Sequence, residues 1–178
     1  VDIPNFNDMI ATLGMSMPDL MRLVTAISYV LGFVLIGHSL YTFKQYGDMR
    51  TMQSSANDFR GPAVMLTMGT LLIYFPSTVD MSVATFWGEG STVMNYQPDD
   101  STGETESVML TTILRIVQVV GAISFVRGLA LLSKVGNKSG GQPGQFSRGI
   151  SHCIAGILGI NIYMSWQMLL ATFGIYLD

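Results

Sequence analysis

LVTAISYVLGFVLIGHSLYTF, Leu23 to Phe43, is a run of 21 residues without a formal charge. A helix rises about 1.5 Å per residue, so a run of this length covers about 30 Å, the hydrocarbon thickness of a bilayer. Three further stretches have the same character. Gly61 to Val79 is uncharged, with Pro62 where a helix can start and Pro76 near its end. Ser107 to Leu132 is apolar except for Arg115 and Arg127. Gly149 to Leu177 is again uncharged, and is long enough to tilt or to extend past the bilayer.

The composition agrees. Hydrophobic residues make up 49% of the 178 and charged residues 12%, against about 25% charged in a soluble domain. Mean hydropathy is +0.42. Nine basic and twelve acidic residues are too few to cover a water-facing surface. The fold class expected is all-α: one helical membrane domain over 1–178 with about four transmembrane helices (23–43, 61–79, 107–132 and 149–177). Upstream, Ile3, Phe6, Ile10 and Leu13 recur at helical spacing. They predict a short N-terminal amphipathic helix, with Met17-Pro18-Asp19 as the start of the first span. No internal repeat is apparent in this reading.

Charge placement predicts the orientation. The segment 44–60 carries Lys44, Arg50 and Arg60 against Asp48 and Asp58, and 133–148 carries Lys134, Lys138 and Arg148 with no acid. The segment 80–106 holds Asp80, Glu89, Asp99, Asp100, Glu104 and Glu106 and no base. Short basic loops stay in the cytoplasm. Loops 44–60 and 133–148 are therefore inner loops, and 80–106 is an acidic outer loop with a short helix allowed before Gly88. Both termini then lie on the outer, periplasmic side. An outside N-terminus and a first residue Val1 lead us to expect removal of a leader peptide.

The sequence carries no nucleophile elbow, zinc-protease helix, phosphate-binding loop or dinucleotide fingerprint. The single cysteine, Cys153, excludes an intrachain disulfide. The expectation is a chain without catalytic residues, metal or cofactor, and not an enzyme. Two features bear on binding and assembly. Arg115 and Arg127 sit inside a span, where insertion of each costs about 2.5–3.5 kcal/mol. They either snorkel to an interface or form an internal pair, or they line a polar lumen or serve, with Lys134, Lys138 and Arg148, as a basic site for phospholipid headgroups. Small residues recur at four-residue spacing: Ser28 and Gly32, Ser124 and Gly128, and Ser151, Ala155 and Gly159. Such pairs let helices approach closely in lipid. They serve packing within the chain or between subunits.

LYTFKQYGDMRTM, Leu40 to Met52, with Lys44, Tyr46, Gly47, Arg50 and Thr51 straight after a first span, resembles the TraQ and IcmC/DotE-like membrane proteins. These belong to type IVB secretion systems and to I-type plasmid conjugation. GPAVMLTMGTLLIYFPS, Gly61 to Ser77, is similar to that family's second span. The resemblance implies a structural part of a conjugative transfer apparatus in the bacterial inner membrane. Its partners would be copies of itself in a helical polymer, other conjugation and secretion proteins, and membrane phospholipid, without sequence-specific nucleic-acid binding. Two jobs fit: a pilin stored in the membrane and polymerised into an extracellular conjugative pilus, or a non-polymerising inner-membrane component. A small channel or transporter is the outside alternative. That reading predicts intramembrane acids or spans broken at their middle, whereas here only Pro76 interrupts a span.

Overall fold

The computed structural model describes residues 6–50, 60–88, 104–135 and 144–174. Among them every regular element is helical: α1 (Phe6–Arg50), α2 (Arg60–Ile73), α3 (Phe75–Trp87), α4 (Glu104–Leu132), α5 (Gln145–Ile160) and α6 (Ile162–Thr172). The chain is an all-α protein of the helical membrane type. Helices α1 and α4 are each long and apolar enough to cross a membrane, and up to four spans result if the bent pairs α2–α3 and α5–α6 each count as one.

The N-terminal segment is not a separate short helix. It is continuous with the first span in α1, whose 45 residues extend about 67 Å. Pro18 lies inside this helix and does not start one. Spans two and four are also not plain crossings. The chain turns by 94° between α2 and α3 and by 96° between α5 and α6. At the first bend Tyr74 leaves helical geometry and Pro76 occupies the first turn of α3, where its missing N–H removes no helical bond. At the second, Asn161 takes the corresponding position. Part of the expected acidic loop is therefore helix: α3 runs to Trp87 and α4 starts at Glu104. Gly88 ends α3 at φ +92°, a conformation glycine adopts without steric cost, and its N–H bonds to the Ala84 carbonyl.

Backbones meet closely at glycines. A Cβ on Gly69 would lie 3.1 Å from the Gly32 carbonyl oxygen, and one on Gly156 would lie 2.8 Å from the Gly121 carbonyl oxygen. Ser39 Oγ donates to the Pro62 carbonyl at 2.7 Å. Going down α1 from Gly32 to Ser39 thus means going back along α2 from Gly69 to Pro62, so the two are antiparallel. Helices α4 and α5 are antiparallel by the same test, Gly121 meeting Gly156 and Gly128 meeting Gly149. Gly14 lies against Thr112, and a groove further along joins Met21 and Thr25 to Arg115 and Val119, so α1 and α4 run parallel.

These contacts disclose an internal repeat that the sequence reading missed. Each half is a long helix, an antiparallel partner and a short helix bent off its end. Gly32 faces the Gly69 oxygen and the Ile73 nitrogen, and Gly121 faces the Gly156 oxygen and the Ile160 nitrogen. Thr78 Oγ1 reaches back across one bend to the Leu71 carbonyl, and Ser165 Oγ reaches back across the other to the Leu158 carbonyl, both at 3.0 Å. In each case a hydroxyl occupies a carbonyl that the broken helix leaves without its usual partner. The same register aligns Met81-Ser-Val-Ala84-Thr85-Phe86 with Met168-Leu-Leu-Ala171-Thr172-Phe173. The core lies between the halves, where Leu72, Phe75, Val79 and Val24 of the first meet Val119, Ala122, Phe125 and Leu129 of the second.

Candidate functional site: a groove between the two long helices

A recess opens between α1 and α4, with a volume of about 520 Å³. Met17, Met21, Tyr29 and Val119 give it apolar walls, and Arg22, Arg115 and Gln118 give it polar groups. Arg22 Nη1 pairs with Asp19 Oδ1 at 3.1 Å, one helical turn back on an exposed surface. Arg115 is half-buried, and its Nη1 donates to the Gly14 carbonyl at 3.3 Å.

The Gly14 carbonyl is the acceptor that Pro18, four residues on, cannot serve. In an unbroken α-helix that oxygen takes the N–H of residue 18, and proline has none. A long helix with proline inside it therefore presents one carbonyl on the groove side, and the guanidinium of α4 fills the gap. This accounts for a charge inside the third span. Arg115 was singled out in the sequence for its cost in lipid. Pro18 gave the complementary signal, and it points to the missing acceptor four residues earlier.

The other basic residues are elsewhere. Arg127 is exposed and lies 12 residues further along α4, about 18 Å from Arg115 along the helix. Lys134 and Arg148 are exposed at that same far end, where α4 finishes and α5 begins. Lys138 lies outside the described residues. The five basic residues are thus not one site. Arg115 belongs to the groove with Arg22, and Arg127, Lys134 and Arg148 lie towards the far end of α4 and the start of α5.

Of the small residues expected to pack, Ser28 is fully buried and donates to the Thr25 carbonyl at 2.7 Å. Gly32 packs on α2, Gly128 on Cys153 and Gly149, and Gly159 on Gly121. Ser124 is half-buried, while Ser151 and Ala155 are on the exposed side of α5. The face of α5 that meets α4 is Gly149, Cys153 and Gly156, joined by Gly159 of the expected row. The motif residues Lys44, Tyr46 and Gly47 lie in the last turns of α1, with Lys44 and Gly47 exposed and Tyr46 half-buried. Arg50 is the last residue of α1, its side chain outside the description, and Thr51 lies outside the described residues.

Among the described residues no group of three metal-ligating side chains comes together. The arrangement offers a cationic mouth over an apolar trough, which suits an amphiphile with an anionic head. Compared with protein-family models, curated proteins and solved structures, the chain matches none.

Proposed function

We propose that this chain is a structural membrane subunit that assembles with copies of itself, and, following the resemblance of Leu40 to Met52, that the assembly is the pilus of a type IVB-like conjugative apparatus. One observation carries the self-assembly. Both long helices expose broad apolar faces, Val30, Phe33 and Val34 on α1 and Val120 and Ile123 on α4 among them, while the backbones inside each half meet glycine to glycine. Such faces need lipid or other protein around them. The phospholipid contact belongs to the α1–α4 groove, where Arg115 and Arg22 meet the headgroup and Met17, Met21 and Val119 the first part of an acyl chain. Lys134 and Arg148, where α4 finishes and α5 begins, meet headgroups of the other leaflet or the cytoplasmic surface.

A small channel or transporter is favoured by a different observation, the two broken helices at corresponding positions of two halves. The described side chains at those breaks, Tyr74, Phe75, Asn161 and Ile162, are uncharged, which gives an ion no ligand of opposite sign. Electron microscopy of the purified protein separates the readings. The pilin reading expects long filaments of this chain with phospholipid in their organic extract. Discrete detergent-bound particles confined to the inner membrane sink it and favour the fixed component or the transporter.

A further inference from the structure

We infer that copies of this chain join side by side through an ion pair between molecules, Asp80 on α3 of one copy with Arg127 on α4 of the next. The inference deepens the self-assembly reading above and rests on it.

The two charges lie at one level of the fold. The rings of Phe75 and Phe125 are 6.2 Å apart, which fixes the start of α3 beside Phe125 of α4. Helix α3 leaves α2 at 94°, so the stretch from Phe75 to Asp80 runs across the bundle with little change of depth. Arg127 is two residues past Phe125, about 3 Å along α4. That level is inside the apolar zone. A Cβ on Gly32, near the middle of the Leu23 to Phe43 run, would lie 2.9 Å from the Ile73 nitrogen, just before the bend. Both charged side chains are exposed, and neither has an ion-pair or hydrogen-bond partner among the described residues. A lone charge at such depth is costly, and charges inside spans pair with one another. Of the acids whose side chains are described, Asp19 is taken by Arg22 and Asp8 lies near the start of α1, which leaves Asp80.

The pair does not close within one chain. Phe125 faces α3, and Arg127, two residues on, is turned about 200° around α4. Helix α4 therefore stands between the two charges. Each copy offers an acid on one side and a base on the other at equal depth, which makes the contact heterologous; repeated, it closes into a ring or continues as a filament. Copies level in one membrane meet in this way without sliding along their helices. Ile123, one turn from Arg127, is 51% exposed, and Met81, next to Asp80, is 71% exposed, so apolar surface frames the pair. Acyl chains can cover that surface but bring no counterion to either charge.

The test reads energy transfer between donor- and acceptor-labelled copies in phosphatidylcholine vesicles. Asp80→Lys alone and Arg127→Glu alone each set like charges against each other, and each is expected to lose the transfer that the unaltered chain gives. Mixing the two variants is expected to restore it. The altered position 80 of one then faces the altered position 127 of the other, and the remaining Asp80 and Arg127 also meet. Mixing repairs neither a pair within one chain nor a failure to fold. The neutral changes Asp80→Asn and Arg127→Gln remove the attraction without adding repulsion, and each is expected to weaken association at least about tenfold. Undiminished transfer in both neutral variants assigns Arg127 to lipid headgroups and overturns the inference. A loss that the double variant Asp80→Lys/Arg127→Glu repairs and the mixture does not is the mark of an intrachain pair, and overturns it too. Filaments as abundant from the neutral variants as from the unaltered chain refute this interface while leaving the pilin reading intact. Restoration by mixing, without filaments, does the reverse.

Discussion

At Gly14 the carbonyl oxygen faces Pro18, a residue with no N–H to give it, and receives the Arg115 guanidinium instead. An unmet carbonyl in an apolar setting costs about 1–3 kcal/mol. Arg115→Met is therefore expected to lower thermal stability in detergent by about that amount. Pro18→Ala restores the helical donor, so the same Arg115→Met change on that background is expected to cost at most half as much. A double-mutant cycle of melting curves measures the difference. Equal losses on both backgrounds would mean that the carbonyl is irrelevant and that Arg115 acts through the groove alone. The arginine was conspicuous in the sequence because charge is rare in a span. Its partner was not, because a backbone oxygen has no letter, and only the distance of 101 residues closed by folding brings the two together.

Among the elements, the α4–α5 pair depends on bare backbone. A Cβ on Gly156 would meet the Phe125 backbone nitrogen at 2.7 Å and the Gly121 oxygen at 2.8 Å, neither of which can swing aside. Gly156→Ala is expected to destabilise by at least about 2 kcal/mol through forced separation of the helices. Gly47, also helical, has nothing within 4 Å of its added Cβ. Gly47→Ala is expected to stabilise by about 0.5–1 kcal/mol through helix propensity alone. Chemical denaturation of both variants in one detergent checks the sign as well as the size. The helices themselves were legible from hydropathy, since a charge-free run long enough to cross a bilayer has few other uses. The face of α5 was not. Ser151, Ala155 and Gly159 form one small-residue row, and Gly149, Cys153 and Gly156 form another. Composition cannot choose between rows, but the absence of a Cβ at both Gly149 and Gly156 permits the closer approach. The bends escaped for a related reason. Pro76 marked one, but Asn161 carries no such flag, and what holds each bend is a hydroxyl bonding seven residues back.

Over the whole molecule, among the described residues, Lys134 and Arg148 lie where α4 finishes and α5 begins, and Asp8 and Asp19 lie on the first half of α1. Basic ends stay inside. Ser147→Cys, exposed at the start of α5, is accordingly expected to react with a membrane-impermeant maleimide only after the inner face is opened. Asp8→Cys, exposed on the first half of α1, is expected to react in intact cells stripped of their outer membrane. The opposite labelling pattern would invert the topology. The repeat was hidden at this scale because it is written in pairs of backbone approaches. Only a few matching letters, such as Ala84-Thr85-Phe86 and Ala171-Thr172-Phe173, reach the sequence itself.

The Pro18–Arg115 arrangement also imposes an order on biogenesis. Before α4 arrives, the Gly14 oxygen has no helical N–H and turns to water or a headgroup at the membrane surface. When α4 leaves the insertion machinery, its arginine must pass through the apolar region to reach that level. The carbonyl on α1 then offers it a partner that lipid does not. Retention of the first hairpin beside the exit site until the second arrives is the expected consequence. Efficient insertion of α4 becomes a property of the chain made before it.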